Sequence, residues 1–525
     1  MSFALIGVAF GQNHYERFDA LDVESYSFDL KINDLNDRIE GEAIVEIRFK
    51  QSLTSFQLDL ANVNAEGKGM KVSRLTSSDG SPVSFSHEGD HLTINYEAYT
   101  GDREAFDIEY AGVPANGLVI AKNKYGDRTF FGDNWPNRAH FWLPTVDHPS
   151  DKALVAWSIT GPNHYQVIAN GYLVEETDLD DNTRLTRWRT DVPLATKVMV
   201  FGAARFAVEQ VGEIYNVPVS SWVYPQNRAE GFYDYEMALG IVDWFINHVG
   251  PYPFAKLANV QSKTMFGGME NAGNIFYSEG SVSGERKIEG LLAHEIAHQW
   301  FGNSASEASW HHSWLSEGFA TYFTNLYTEQ MHGRDQFVAG EKQQREAVIA
   351  FSKKEYVPIV NPAIEDYMKV LSTNTYQKGG WVLHMLRKQL GDENFWKGIQ
   401  TYYARFTHSN AYSDDLRMVL EEVSGQSLEG FFDQWVYRAG QPELEVSWTY
   451  VGEQLQLTVA QKQAEAFRFP LEIDLVFDDG TRQRESLTVT DSNQSFNVTT
   501  TQKPASVVLD PDTWLLFEGT VEEKK

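Results

Sequence analysis

The chain of 525 residues contains no cysteine. That absence excludes a disulfide framework, and it leaves histidine and carboxylate as the side chains that could hold a metal ion. Positive charge is also scarce: Lys and Arg number 44 against 73 Asp and Glu, for a formal net charge of −29. Phosphate recognition draws on Lys and Arg, so nucleic acid is not an expected partner. The plain meaning of the acidic excess is solubility. The sharper one is a field that attracts cationic substrates, of which a peptide's free N-terminus is one. Long apolar runs are missing too, and beyond the first residues no uncharged stretch is long enough to cross a bilayer.

The first residues differ. Phe3 to Phe10 is apolar, and Ala9 and Gly11 stand as small residues before Gln12. This resembles the second half of a secretory signal peptide without its basic start. Residues 1–11 are therefore expected to be a leader remnant, and the protein periplasmic or secreted. The alternatives are a buried first strand and a cytoplasmic protein.

A chain this long exceeds a single hydrophobic core. Hydrophobic residues at 42% and charged ones at 22% describe a globular protein, and 13% aromatics suit large cores with much β-structure. Residues 12–205 read as a β domain. Tyr26–Ile32 and Glu42–Phe49 alternate with a period of two, and turn residues such as Asn33-Asp34 and Asp180–Asn182 punctuate the runs. Residues 206–440 read as mainly helical. Phe232, Met237, Ile241 and Phe245 space out one helix face over Arg228–Val249, and Gly250-Pro-Tyr-Pro-Phe254 ends it. Further helices are expected over Glu285–Phe301, Ser313–Met331, Gly379–Leu390 and Leu416–Ser424. Residues 441–520 return to alternation, in Leu444–Tyr450, Leu455–Val459 and Ile473–Phe477, with Asp478-Asp-Gly480 as a hairpin turn. A small β-sandwich is expected there, with a frayed tail from Glu522.

The chemistry concentrates in Leu291–Phe301, which contains H-E-x-x-H. His294 and His298 are one helical turn apart and point the same way, a pair suited to zinc. Glu295 lies about 100° around the helix. It flanks the metal position without joining it, as a general base for metal-activated water must. Leu291, Leu292, Ile296, Ala297, Trp300 and Phe301 make the helix apolar nearly all round, so it is expected to be buried, and two histidines and a glutamate buried together need partners. A catalytic zinc takes a third protein ligand. Glu317, on the helix that follows, is favoured for that place over His311 and His312, which sit nearer the helix start.

With these residues in view, the sequence resembles the aminopeptidase N and leukotriene A hydrolase-type zinc peptidases, the gluzincin aminopeptidases. Their signature is H-E-x-x-H, eighteen residues, then Glu, and here His298 and Glu317 enclose residues 299–316. Gly267-Gly-Met-Glu-Asn271 matches the family's G-[AG]-M-E-N motif, and Tyr376-Gln-Lys-Gly379 its Y-x-K-G. The resemblance implies a multidomain α+β protein with a saddle-like N-terminal β-sheet domain, a thermolysin-like catalytic domain and a small β-sandwich. It implies one Zn2+ per chain, held by His294, His298 and Glu317, with Glu295 as base and Tyr376 as oxyanion donor. Gly267, Gly268, Met269, Glu270 and Asn271 would bind substrate, Glu270 by pairing with the free α-ammonium of a peptide. The implied activity is removal of N-terminal residues. A small-molecule or epoxide hydrolase on the same zinc site, an endopeptidase, and an inactive binding relative are the alternatives.

Two departures stand out. Many relatives place a Gln or Glu in the first domain as a second amine contact, and counting back from Phe141–Asp147 the expected place falls at Asn134-Trp135. Larger relatives carry a further helical domain over the site, whereas this chain resembles a short form, its site more open or capped by a partner.

Overall fold

The computed structural model describes residues 19–524. The leader expectation for residues 1–11 lies outside the described residues.

The N-terminal region is built on an eight-stranded sheet. Its order is Tyr172–Asp178, Thr183–Arg189, Lys152–Pro162, Leu21–Lys31, Ile39–Phe49, Arg103–Val113 and Gly69–Ser77, with Leu194–Ala195 also on Lys152–Pro162. Pairing is antiparallel except where Leu21–Lys31 runs parallel to Lys152–Pro162. The alternation in the sequence appears as burial: Ala43, Val45, Ile47 and Phe49 are inside, and Glu42, Ile44 and Glu46 are outside. A four-stranded sheet, Gln166–Ala169, Phe201–Ala204, Arg128–Gly132 and Leu118–Lys122, packs beneath.

A second mixed sheet of five strands opens the helical region, in the order Ala207–Ile214, Val217–Val223, Leu257–Ser262, Asn274–Ser278, Gly268–Met269. Among the described residues Gly268–Met269 pairs only with Phe276 and Tyr277, which leaves its other side a free edge. The helices that follow are α1 (Arg228–Tyr235), α2 (Ala238–His248), α3 (Glu289–Ala297), α4 (Trp314–His332), α5 (Arg334–Ser352), α6 (Gly379–Leu390), α7 (Asp392–Phe406) and α8 (Ser413–Ser424). The single helix expected over Arg228–Val249 is thus two. Asp234, buried near the end of α1, accepts the backbone N–H groups of Ser283, Gly284 and Arg286, fastening that end to a loop. Helix α3 is shorter than expected at both ends. No described helix is long and apolar enough to cross a membrane.

The C-terminal region has a four-stranded and a three-stranded sheet. Gly480, at φ 82°, turns the hairpin between Phe469–Val476 and Arg482–Val489. The tail is not frayed at Glu522: the strand Glu518–Glu523 pairs in parallel with Glu443–Trp448, and that ladder holds Glu522 and Glu523.

Two hydrophobic cores result. One fills the N-terminal sheets and reaches Met269, Phe276, Trp310 and Tyr367. The other joins α2–α8 to the C-terminal sheets and includes Leu292, Ile296, Trp314 and Phe319. The free edge strand and α3 belong to different cores, and the cleft between them is where the motifs meet.

Candidate active site

Helix α3 carries Leu292, Ile296 and Ala297 into the second core and leaves His294 and Glu295 on its cleft side. Glycine and serine let α4 approach closely. A Cβ added to Gly302 would lie 2.1 Å from Ser316 Oγ, and one added to Gly318 would lie 2.9 Å from the Gly379 backbone. This packing brings Glu317 to the two histidines. Its Oε2 lies 3.4 Å from His294 Nε2 and 3.2 Å from His298 Nε2, and the two imidazole nitrogens are 3.2 Å apart.

His298 Nδ1 donates to the Phe301 carbonyl at 3.2 Å, with Ser316 Oγ 3.0 Å away. A proton held at Nδ1 leaves the Nε2 lone pair facing Glu317, the arrangement found in metal-ligating histidines. The Glu317 Oε2 atom is buried and receives no hydrogen bond. Two imidazole nitrogens and one carboxylate oxygen therefore converge with nothing else to satisfy them, a donor set that fits a tetrahedral divalent ion with one open position. Glu270, Glu295 and His298 form a second close group. It shares His298, whose other nitrogen is already engaged, so the two groups cannot each hold an ion.

Electrostatics point the same way. Burial pushes Glu295 well up and raises Glu270. Burial also acts upward on Glu317, but His298 and His294 outweigh it and hold that carboxyl well below the usual range. Burial alone would lower His298; instead Glu317, Glu270 and Glu295 drive it up to about 10, so its Nε2 draws a positive partner, either a proton or a metal ion in the proton's place. Three carboxylates crowd one pocket, and the site calls for positive charge.

The cleft encloses about 240 Å3. Gly267, Gly268, Met269 and Glu270 line one side, and His294, Glu295, His298 and Glu317 the floor. Gly268 gives Glu295 its room: a Cβ there would lie 2.3 Å from Glu295 Oε1, so the carboxylate would have to shift to admit one. Tyr376 enters from a π-helical turn, Asn374–Lys378, its ring stacked on His294 at 6.0 Å. Burial, then the charges of Glu317, Glu270 and Glu295, push its phenol far up, so it stays a hydrogen-bond donor. A larger groove of about 660 Å3 lies on the N-terminal sheet, where Asp29, Lys31, Glu40 and Lys71 are spread over three strands rather than gathered around one point.

Some expected residues fall elsewhere. Asn271 is fully buried and does not line the cleft, because the chain turns inward after Glu270. His311 bonds the Ile364 carbonyl and His312 bonds Ser413 Oγ, so neither faces the metal position. Asn134 is spent internally on Thr196, Met199 and Trp142. Trp135 beside it lines the cleft, with Phe266, Leu291 and Leu371. Trp135 thus stands where counting back from Phe141–Asp147 sought a second amine contact, and Leu291 lies on the H-E-x-x-H helix, whereas no local pattern marks Phe266 or Leu371.

Two family models match most of the described chain. The Peptidase M1 N-terminal domain matches residues 22–198, and the Peptidase family M1 domain matches residues 233–435. Glutamyl aminopeptidase of Homo sapiens is 28% identical over 334 residues, 60% of this chain and 34% of that protein. Aminopeptidase A of Gloydius brevicauda is 28% identical over 342 residues, 62% of this chain and 35% of that protein. Mitochondrial aminopeptidase 2 of Saccharomyces cerevisiae is 23% identical over 439 residues, 78% of this chain and 45% of that protein. The matched stretch thus spans between a third and a half of each of these relatives.

Proposed function

The chain belongs to peptidase family M1, and from that premise we propose that it is a zinc-dependent aminopeptidase releasing the first residue of peptides with a free N-terminus. One observation carries the reading: Glu270, a buried carboxylate with an unpartnered Oε1, stands in the same cleft as the convergent His294, His298 and Glu317. An amine anchor beside a metal-ready cluster selects the terminal peptide bond.

His294, His298 and Glu317 would hold the zinc, which when bound supplies Lewis acidity toward water and the scissile carbonyl. Glu270 pairs with the substrate α-ammonium and fixes which bond lies over the cluster. The free edge of Gly268–Met269 offers backbone groups to the extended peptide. Glu295 takes the proton of the attacking water on its carboxylate and passes it to the leaving nitrogen; its burial makes it basic enough for the first task. Tyr376 donates a hydrogen bond to the carbonyl oxygen as that atom gains charge. A thermolysin-like catalytic domain and a C-terminal β-sandwich complete the reading. The name of the Homo sapiens relative specifies a glutamyl residue for that protein.

The test compares free and N-acetylated aminoacyl anilides, each before and after chelation. Free substrates should be cleaved, acetylated ones should not, and zinc should restore what chelation removes. Equal turnover of both substrate kinds would refute the aminopeptidase reading, and full activity after exhaustive chelation would refute the zinc.

A further inference from the structure

The cleft's charge is one-sided. Glu270, Glu295 and Glu317 line it, and no Lys or Arg does. Two buried cations stand behind its walls, and both are already engaged. Arg138, 5.7 Å from the Phe266 ring, donates to Asp133 at 2.5 Å, their side chains 7% and 0% exposed. Lys197 lies 5.9 Å from the Trp310 ring that packs on Trp135, and it pairs with Glu307 at 2.6 Å.

Glu270 takes the substrate ammonium and the imidazole–carboxylate cluster faces its carbonyl. Besides Gly267, Gly268 and Tyr376, the lining left for the side chain on the carbon between them is Trp135, Phe266, Met269, Leu291 and Leu371. All five are apolar or aromatic. Trp135 is 2% exposed and is held by an edge-on contact with Trp310 at 5.7 Å, a fixed wall rather than a mobile flap. The whole cleft, open to solvent on one side, measures about 240 Å3, below the ~300 Å3 at which drug-sized sites begin.

We infer that this site accepts large apolar first residues, aromatic ones included, that it rejects acidic ones, and that Trp135 is a specificity-determining residue; the inference rests on the aminopeptidase reading above. An apolar side chain leaves water for apolar contacts. An aspartate or glutamate side chain would meet no Lys or Arg among the described lining residues and would add a fourth carboxylate to the three present, suffering desolvation and like-charge repulsion together.

The experiment measures kcat/KM of the zinc-loaded enzyme for Leu, Phe, Met, Ala, Glu and Asp p-nitroanilides. Leu, Phe and Met should exceed Glu and Asp by about a hundredfold or more. Leu371→Arg places a cation on the half-buried wall and should raise the Glu-to-Leu ratio by about tenfold. Trp135→Ala should lower the Phe-to-Ala ratio, and Trp135→Phe reads the same ratio with less disturbance should the first variant not fold. Calorimetric binding of leucinamide and glutamate α-amide to Glu295→Gln reads the preference without turnover. A Glu or Asp anilide within tenfold of the Leu anilide would overturn the substrate class. An unchanged Phe-to-Ala ratio in a folded Trp135 variant would overturn that residue's role. If no free-amine anilide is cleaved at all, the aminopeptidase reading falls, and this inference with it.

Discussion

The backbone carbonyl of Glu270 accepts a hydrogen bond of 2.9 Å from Gln299 Nε2. Gln299 follows His298 directly, and its Oε1 accepts the Gly273 N–H at 2.9 Å. Asn303 Nδ2 reaches the same Glu270 carbonyl at 2.5 Å. The segment that would hold the substrate amine is therefore tied to the segment that would hold the metal, and two buried amide side chains, Gln299 and Asn303, set the distance between the two recognised ends of a residue.

Gln299→Leu removes both of its bonds to that segment at similar volume. Two buried hydrogen bonds correspond to about 1–3 kcal/mol, so KM for a free-amine anilide should rise by about tenfold while bound zinc stays at one per chain. Steady-state kinetics with metal analysis decide it, and an unchanged KM would show that the tie does not position Glu270.

Glu295→Gln should retain zinc and lose about 10²–10⁴ in kcat. The carboxylate lies in the cleft but outside the convergent trio, so metal content and turnover should separate. Loss of zinc in this variant would make Glu295 a ligand rather than a base.

Gly268→Ala tests the clearance between the edge strand and the base. The added Cβ would come within 2.3 Å of Glu295 Oε1 and 2.5 Å of its Cδ, so the carboxylate must move. A shift of about 1 Å at a reacting group can cost about a hundredfold in rate, and kcat should fall on that scale with zinc retained. Wild-type kcat would mean that Glu295 tolerates displacement.

Lys197→Met tests the buried pair that joins the N-terminal region to the strand Ala305–Glu307. Lys197 Nζ and Glu307 Oε1 are 2.6 Å apart and both side chains are 0% exposed. Removing one partner strands the other charge, at a cost of about 3–5 kcal/mol. Urea unfolding should register that loss, and Lys197→Met combined with Glu307→Leu should recover most of it.

Glu341, buried on α5, gives a pH-dependent prediction. Burial raises its carboxyl to about 7, against the hydrogen bond from Asn325. A raised carboxylate pKa means the folded state holds the proton more tightly than the unfolded chain. Stability is therefore lost as pH rises from about 4.5 through 7, by up to about 3 kcal/mol. Glu341→Gln should stabilise the protein by about 2 kcal/mol at pH 8 and by under about 1 kcal/mol at pH 5. Equal effects in melts at the two values would refute the shift.

The elements were legible where a period repeats. The strands Leu21–Lys31 and Ile39–Phe49 and the helix Gly379–Leu390 follow directly from apolar spacing. The break at Glu236–Met237 was not, because Asp234 is fixed by a loop about fifty residues on. Within the site, His294, Glu295 and His298 share one helix, so their spacing alone declares them. His311 and His312 show the limit of such reasoning: a short 3-10 turn aims them at Ile364 and Ser413, and sequence proximity to Glu317 carries no orientation. Trp135 reaches the cleft only because two hydrophobic cores abut there.

That placement of Trp135 has an evolutionary reading. The wall that would sort side chains is contributed in part by the N-terminal region, while the groups that would cut the bond sit on α3, α4 and the turn before α6. On the proposed function, diet and chemistry would be encoded in separable stretches of the gene, and drift at one wall position would retune which peptides are trimmed while the cutting machinery is inherited intact.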